Sequence, residues 1–460
     1  MIERDAYELL SDWKNNDRRR ALLLDGARQV GKTYLIERFA EREYPDYVKV
    51  DFLRDDEAAA AFSQVRDARQ AIEMVGLLAG RGLEAGRTLV FLDEVQEAPN
   101  LVTLAKYLVD DGRFDLVMSG SLLGIELRKA KSLPVGYLRI ETMYPLGFLE
   151  FCRARAVPSS VVDELRDCFA VKRPVRDAVH ARMVNLFRSF LVIGGMPDPV
   201  QTYLDAAGDL GAVRKKQEDL VELYRIDIAK HAKNRALQVE DIFDALPGQL
   251  GKENKRFVLG SLKSDARFEE YANDFAWLTR AKAALKATCV TDPRPMLERT
   301  EEKNRFKLYQ SDVGMLMSRY RQTVALAALS GARSVNFGAI YENAVAQELA
   351  AAGAPLHYYY HSRKGEVDFL VETDDGVVPI EVKSGKDYKR HVALNNLLSS
   401  GEYEIERAYV LSEANVSMEK RAGGVVHYLP LYFAPLVAAE AAGASSLPTV
   451  PPEVDWSGLA

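Results

Sequence analysis

The stretch that decides the fold is RALLLDGARQVGKT, residues 20–33. A short apolar run ends at Asp25, a glycine-containing loop follows, and the next residues, TYLIERFAERE, have helical periodicity. The loop from Gly26 to Thr33 matches the pattern G-x-x-x-x-G-K-[ST]. Glycines let such a loop turn successive backbone N–H groups toward a phosphate, and the helix adds its positive N-terminal end. The sequence predicts a strand, a phosphate-binding loop and a helix.

The loop defines a candidate nucleotide site. Lys32 is expected to reach the β- and γ-phosphates of ATP, and the Thr33 hydroxyl to ligate Mg²⁺. A glycine-rich turn that caps an ordinary helix is the alternative, and the strand before the loop argues against it. The expected nucleotide-binding residues of the loop are Gly26, Ala27, Arg28, Gln29, Val30, Gly31, Lys32 and Thr33.

A second part of this site follows in RTLVFLDE, residues 87–94. Its apolar residues predict a buried parallel strand, at whose carboxyl end ligands bind in open α/β sheets. We expect Asp93 to hold Mg²⁺ through water and Glu94 to orient or deprotonate the attacking water. A solvated acidic loop is the alternative for two adjacent acids.

A third predicted strand, residues 114–118, ends before Ser119. Ser119 is expected to contact the γ-phosphate from the neighbouring strand, although a simple Ser-Gly turn fits the same residues. Arg28 and Arg139 are candidates for neutralising charge in the transition state. Alternating strands and helices of this length predict an α/β fold with a parallel sheet.

A separate constellation lies in residues 357–386, where apolar and charged residues alternate as in a hairpin. If residue 372 pairs with residue 377, Asp368 lies opposite Glu381, and Lys383 shares their face. A tighter turn places Asp368 opposite Lys383 on that same face. Two carboxylates and an ammonium suit a metal-dependent phosphodiesterase, with Asp368 and Glu381 as Mg²⁺ ligands and Lys383 positioning water.

A further metal-ligating acid is expected from the preceding helix, in GAIYENAVAQELA. Glu342 borders its apolar stripe, and Glu348 is an alternative with similar geometry. An amphipathic hairpin with an ordinary cross-strand salt bridge explains the same charges without catalysis. Two locally basic segments, residues 252–267 and 381–391, either follow a DNA or RNA backbone or form solvated faces.

Composition limits the remaining classes of function. The 460 residues carry 61 Lys and Arg against 67 Asp and Glu, a net charge of −6, so nucleic-acid binding must come from local patches. Three cysteines without metal-ligand spacing fit a reducing cytoplasm. The sequence has no apolar run long enough to cross a membrane and no signal segment, so we expect a soluble cytoplasmic protein.

Nine sequence blocks extend the argument to nearly the whole chain. They are GARQVGKT, FLDEVQEAP, MSGS, YPLGFLEF, GGMPDPVQTYL, YRIDIAKHA, IYENAVAQEL, EVDFLVE and PIEVKSGK. In this order they resemble the prokaryotic AAA-type ATPases with a C-terminal domain of unknown function related to restriction-endonuclease-like folds. The chain departs from these relatives at Gly136-Tyr137, where they usually show Gly-Arg, so the sensor arginine is not identified.

The resemblance implies an organisation in five parts. These are an AAA-like ATPase domain (1–148), a helical region (149–235), a winged-helix-like domain (236–330), a PD-(D/E)xK nuclease-like domain (331–438) and a flexible tail (439–460). A homo-oligomer is expected by analogy only. Two hypotheses follow: an ATPase that controls a nuclease-like domain on nucleic acid, and a nucleotide-dependent switch for a partner protein with an inactive nuclease-like domain.

Overall fold

The computed structural model describes residues 2–126, 134, 136–332 and 335–443. Its first sheet has five parallel strands in the order β2-β3-β4-β1-β5. The interior strand β1 is buried at every position, as expected for a strand with layers on both faces. The strands are β1 (Ala21–Gly26), β2 (Asp46–Asp51), β3 (Thr88–Asp93), β4 (Asp115–Gly120) and β5 (Leu138–Met143).

Helices cover this sheet, and the predicted strand–loop–helix order is present. The carboxyl ends of β1, β3 and β4 lie at one edge, because Leu22 pairs with Val117 and Val90 with Leu116 in parallel register. The predicted phosphate loop and both predicted acidic positions therefore share that edge. The helices are α1 (Ala6–Asp12), α2 (Lys32–Glu43), α3 (Asp56–Ser63), α4 (Ala68–Ala79), α5 (Asn100–Asp111) and α6 (Leu123–Glu126).

A helical region follows and packs on one face of the first sheet. Tyr224 and Phe243 stack in parallel, with ring centroids 6.3 Å apart, in a core that also includes Leu22 and Leu24 of β1. This burial ties the helices to the sheet. The helices are α7 (Phe148–Ala154), α8 (Ser159–Ala170), α9 (Asp177–Ile193), α10 (Pro197–Asp205), α11 (Leu210–His231), α12 (Ala236–Leu250) and α13 (Phe268–Arg280).

A second, mixed sheet has eight strands in the order β12-β13-β11-β10-β9-β8-β6-β7. The strands are β6 (Ala284–Val290), β7 (Glu301–Gln310), β8 (His357–His361), β9 (Gly365–Thr373), β10 (Gly376–Val382), β11 (Arg407–Ser412), β12 (Ser417–Arg421) and β13 (Gly424–Pro430). The helices of this part are α14 (Val313–Ser318), α15 (Gln322–Ser330), α16 (Gly338–Ala351), α17 (Val392–Ser399) and α18 (Ala434–Ala441).

The hairpin β6–β7 corrects the expected domain boundary. The sequence places it in a winged-helix-like domain ending at residue 330, but Thr288 of β6 pairs in parallel with His357 of β8. The hairpin is therefore part of the second sheet, because the backbone groups at the edge of β8 need partners. Of the expected tail, residues 444–460 lie outside the described part of the chain. Within the described ranges, no helix has both the length and the apolar character needed to cross a bilayer.

Candidate functional site

The phosphate-binding loop joins β1 to α2 and depends on two glycines. A side chain at Gly26 would place its Cβ 2.4 Å from the carbonyl oxygen of Met143, so the loop leaves the sheet where only glycine fits. Gly31 has φ +96°, a left-handed conformation that glycine adopts without steric cost. The sequence pattern thus corresponds to two local backbone requirements.

Lys32 lies inside this loop and is buried. Its Nζ donates hydrogen bonds to the carbonyl oxygens of Gly26 and Ala27, at 3.0 and 2.9 Å. Burial lowers the pKa of Lys32, and the nearby carboxylates of Glu94, Asp25 and Asp93 oppose that shift. The ammonium therefore sits in the concavity that the motif forms, with acids around it.

Asp93 ends β3 and lies beside the loop. Thr33 Oγ1 donates to Asp93 Oδ2 at 2.9 Å, and the Ser119 hydroxyl also donates to this carboxylate. Lys49 of β2 forms an ion pair with Asp93 at 3.2 Å. Burial raises the pKa of Asp93, while Ser119, Lys49 and Thr33 act against that rise. Thr33, Asp93 and Ser119 thus meet, and Lys49 is an addition that the sequence argument missed.

Glu94 follows in a left-handed backbone conformation, φ +56°, which is uncommon for a residue with a side chain. Its Oε2 accepts hydrogen bonds from Gln96 Nε2 at 2.6 Å and from the Ser121 N–H and hydroxyl at 3.1 and 2.9 Å. Burial by itself would raise the pKa of Glu94, but the Lys32 charge and these hydrogen bonds lower it overall. The carboxylate is held in place and kept ionised.

The two candidate arginines are both bound to acids. Arg28 of the loop pairs with Asp227 of α11, and Tyr224 donates to the Arg28 carbonyl at 3.3 Å. Arg139 pairs with Asp12 at 2.7 Å and with Glu141 at 2.9 Å. Arg139 is therefore engaged away from the loop, whereas Arg28 connects the loop to the helical region. Asp227 lies in the block YRIDIAKHA, whose apolar spacing gave no sign of this contact.

The N-terminal segment also holds the loop. Arg4 donates to the carbonyl oxygens of Val30 at 2.8 Å and Tyr144 at 2.7 Å, and to Glu150 Oε1 of α7 at 3.0 Å. These groups are largely buried, which makes the contacts less sensitive to solvent than surface pairs are. The sequence gave no indication of a role for Arg4.

The C-terminal constellation follows the first of the two predicted registers. Residue 372 pairs with 377 and Phe369 with Ile380, so Asp368 stands opposite Glu381 and the tighter turn is wrong. Asp368 Oδ2 accepts the Val382 N–H at 2.9 Å, and Lys383 Nζ lies 2.6 Å from Glu381 Oε1. Glu381 Oε2 is buried without a hydrogen-bond partner. Burial and the Asp368 charge raise the pKa of Glu381 to about 8.

Two lysines that the sequence argument missed lie among these acids. Lys307 of β7 is fully buried, with Nζ at 2.9 Å from Glu366, 3.3 Å from Asp368 and 3.5 Å from Glu342. Lys255 pairs with the other oxygen of Glu342. Lys307 lies within the apolar strand RFKLYQ, and this position is a sequence signal for an ionic role. A lysine is rarely buried unless it is paired with an acid.

The structure decides between the two acids proposed on α16. Glu342 belongs to the constellation, whereas Glu348 accepts the Phe148 N–H at 2.7 Å on the side facing α7. Burial raises the pKa of Glu348 to about 8. Of the predicted metal ligands, Glu342, Asp368 and Glu381 do come together. However, no group of three or more His, Cys, Asp or Glu side chains in the described residues could hold a metal ion.

A cleft of about 800 Å³ opens beside the constellation. Arg188 and Tyr341 both bind Glu413 in its wall, and the loop after β10 supplies Ser384, Lys386 and Tyr388. Other basic residues of the two predicted patches bind acids instead: Lys255 pairs with Glu342, Lys263 with Asp265 and Lys389 with Glu419. From these two patches, Lys386 adds a basic side chain to the wall of the cleft.

Comparisons with known proteins agree with this geometry. Residues 18–152 match the family model of an AAA domain, and residues 184–324 and 337–433 match domains of unknown function, DUF8612 and DUF4143. A comparison with curated proteins finds no match. The matched AAA region contains the whole loop and both acids of β3. The N-terminal part of the chain thus matches an AAA domain and carries a phosphate-binding loop.

Solved structures give weaker likenesses. The Walker-type ATPase PABY2304 of Pyrococcus abyssi is 16% identical with a TM-score of 0.42, over 69% of this chain and 96% of that chain. Cdc6p from Pyrobaculum aerophilum is 14% identical with a TM-score of 0.23, over 70% of this chain and 91% of that one. The assignment of the domain accordingly rests on the AAA match and on the loop geometry.

Proposed function

We propose that the protein is a Mg²⁺-dependent ATPase whose nucleotide state controls a nuclease-like C-terminal domain that contacts nucleic acid. The observation that carries the ATPase part is the meeting of Lys32, Thr33, Asp93 and Glu94 at one edge of the parallel sheet. Hydroxyl and carboxylate oxygens are the donors that Mg²⁺ prefers, so Thr33 and Asp93 fit this ion as its holders. The chemistry supplied by bound Mg²⁺ is neutralisation of phosphate charge.

The residues of the loop act on the triphosphate in distinct ways. Lys32 exchanges its two carbonyl acceptors for phosphate oxygens when ATP enters. Glu94 orients the attacking water and takes up its proton, for which an anchored and ionised carboxylate is suited. Ser119, now bound to Asp93, is placed to sense the γ-phosphate from the adjacent strand.

A continuous set of contacts supports control of the C-terminal domain by the nucleotide. Arg4 joins the Val30 carbonyl of the loop to Glu150 of α7. Glu150 Oε2 accepts the Gly147 N–H at 3.0 Å, and the neighbouring Phe148 N–H binds Glu348 of α16. A change in the loop thus has a physical route to α16 through packed, buried groups.

Helix α16 carries that route to the acidic constellation. Glu348 contacts the ATPase side, and Glu342, six residues earlier on the same helix, contacts Lys307 and Lys255. Because a helix rises about 1.5 Å per residue, the two glutamates are about 9 Å apart along one rigid element. A shift of α16 would therefore move Glu342 relative to the lysines of the constellation.

Contact with nucleic acid is supported by the cleft beside the constellation. Lys386 and Tyr388 supply a positive charge and an aromatic ring along its walls, where Arg188 is paired with Glu413. Such groups follow a phosphate backbone and stack on bases, which gives affinity that falls with salt. These side chains would contact phosphates and bases, which DNA and RNA share, so we propose contact with either.

A second candidate function is a nucleotide-dependent interaction switch with an inactive nuclease-like domain. The observation that favours it is the pair of lysines among Glu342, Glu366 and Asp368, which already neutralise carboxylates that a nuclease would use for metal. In this version the C-terminal domain binds a partner without cutting it. Location in a reducing cytoplasm stays a prediction, with which the three buried free cysteines agree.

The ATPase part is tested by turnover of purified protein with Mg²⁺ and ATP. Lys32→Ala should abolish measurable turnover, because the triphosphate loses the ammonium that the loop places beside it. Arg69→Ala, on the exposed surface of α4, is the matched control and should hydrolyse ATP at the unmodified rate. Equal turnover in Lys32→Ala and the control would refute the proposal.

The route through Arg4 is tested by hydrogen–deuterium exchange of the α16 peptides. ATP should change exchange in α16 of the unmodified chain, and Arg4→Met should remove that change. An ATP response of α16 that is the same in Arg4→Met would exclude this route.

Cleavage separates the two candidate functions. Single- and double-stranded DNA and RNA are incubated with Mg²⁺ or Mn²⁺, with and without ATP. Cutting that is lost in Asp368→Ala and retained in Asp374→Ala, an exposed turn residue, favours the nuclease version. Salt-sensitive binding without cutting favours the interaction switch.

A further inference from the structure

The lysines of the acidic constellation differ in how firmly each is built into the fold. Lys307 projects from strand β7, is completely buried and contacts three carboxylates. Lys255 lies outside the strands, in the segment between α12 and residue 259, and its side chain is 19% exposed. Among the described residues, Lys255 forms an ion pair with one acid, Glu342. Lys307 is therefore a fixed cation, whereas Lys255 can leave without breaking a sheet.

The point at which this segment becomes fixed lies just after Lys255. The Phe257 N–H binds the Phe306 carbonyl at 2.9 Å, and the Phe257 ring packs on Phe275 at 5.0 Å. Arg256 forms an isolated bridge with Lys307. Residues 252–255 lie between α12 and these anchors, outside any helix or strand.

Charge balance shows what departure of Lys255 would leave. Four carboxylates, Glu342, Glu366, Asp368 and Glu381, face three ammonium groups, Lys255, Lys307 and Lys383. With all four carboxylates ionised, their formal sum is −4 + 3 = −1. Without Lys255 the sum is −4 + 2 = −2, which one divalent cation balances.

An independent observation points to a missing ligand at the same place. Glu381 is 7% exposed, and its Oε2 has no hydrogen-bond partner. A buried carboxylate oxygen without a partner costs free energy unless a cation or donor reaches it. Asp368 stands opposite Glu381 in the strand register, so a cation there would meet oxygens from both strands.

We propose that Glu342, Asp368 and Glu381 form a divalent-cation site and that the Lys255 ammonium blocks it. Movement of residues 252–255 withdraws Lys255 and opens the site. The closed arrangement explains why these acids form no metal-holding group in the structure. It places control of the site in the helical region, at the basic segment 252–267. The proposal extends the proposed function to the regulation of its C-terminal centre.

Cation binding is measured directly, without any substrate. The full chain, free of nucleotide, is titrated with Mn²⁺ in a calorimeter and by electron paramagnetic resonance. Lys255→Met should bind one Mn²⁺ at least about tenfold more tightly than the unmodified chain, since it removes a like charge beside the ion. Lys255→Arg keeps the charge and should bind as the unmodified chain does.

Two further variants locate the effect. Lys252→Met is the matched control in the same segment, because Lys252 Nζ donates to the Gln249 side chain at 3.2 Å and not to the acids of the constellation, and should leave Mn²⁺ binding unchanged. The double variant Lys255→Met with Asp368→Asn should lose the gain. Affinity in Lys255→Met equal to that of the unmodified chain, or a gain that survives Asp368→Asn, would overturn the proposal.

The result is independent of catalysis. If the unmodified chain hydrolyses no ATP, the ATPase proposal fails. The Mn²⁺ titration still tests whether Lys255 blocks the cation site.

Discussion

Replacement of Lys307 by Met should destabilise the second sheet strongly at pH 8. Its Nζ lies 2.9, 3.3 and 3.5 Å from oxygens of Glu366, Asp368 and Glu342. Each such contact is worth about 5 kcal/mol before desolvation at an effective dielectric constant of about 20. Burial of the ammonium offsets most of this, and removing one partner of a buried ionic group costs about 3–5 kcal/mol net.

Hydrogen–deuterium exchange of the β9 and β10 peptides measures this loss. A loss of about 3–5 kcal/mol corresponds to exchange that is faster by about two to three and a half powers of ten, since about 1.4 kcal/mol is tenfold. Lys286→Met is the matched control, a partly buried lysine on the adjacent strand β6 that lies over the Phe306 ring at 4.8 Å. It should change exchange far less, because it leaves no carboxylate unpaired.

The change of the exchange rates with pH tests whether the loss of stability in Lys307→Met is electrostatic. Without Lys307 the facing carboxylates have higher pKa values in the folded state than in the unfolded state, so the folded state gains protons as the pH falls. The ratio of variant to unmodified exchange should therefore shrink from pH 8 to pH 5. A ratio below threefold at pH 8, or one that grows toward pH 5, would refute the electrostatic reasoning.

Two further predictions concern the junction around α16. Burial raises the pKa of Glu348 from its ordinary value of 4.5 to about 8. Its contribution to the stability of the folded state is therefore present below pH 4.5 and is lost as the pH rises toward 8. In Glu348→Gln the unfolding temperature should decline less over this pH range. Gly195→Ala should lower the unfolding temperature sharply, because its Cβ would lie 2.0 Å from the Leu146 carbonyl oxygen, whereas Gly248→Ala in α12 meets open space and should stabilise by about 0.5–1 kcal/mol. The first account would be contradicted if the unfolding temperature of Glu348→Gln depended on pH as that of the unmodified chain does. The second would be contradicted if the two alanine variants had equal unfolding temperatures.

The first sheet follows from local sequence because each of its requirements is local. An apolar run such as residues 89–92 buries a strand, and a glycine pattern such as Gly26 to Gly31 bends the loop after another. Parallel strands then bring their carboxyl ends together, which places Asp93 and Glu94 beside Lys32. The hairpin register at Asp368 and Glu381 was also predictable, since turn length fixes it.

The partners across long sequence distances were not predictable in the same way. Asp227 is 199 residues from Arg28, and Arg4 is 146 residues from Glu150, so no spacing rule connects either pair. Lys307 reaches Asp368 only because the hairpin β6–β7 joins the second sheet beside β8. That pairing satisfies an open sheet edge, and composition does not reveal which hairpin will do so.

The central claim, that Glu94 acts on the water that attacks ATP bound by Lys32, is tested most directly by Glu94→Gln. Glutamine keeps an acceptor for the Gln96 and Ser121 donors but takes up no proton. The account predicts Mg²⁺-dependent ATP binding within about threefold of the unmodified chain and turnover lower by about 10²–10⁴-fold. Turnover that stays unchanged while ATP binds normally would contradict it.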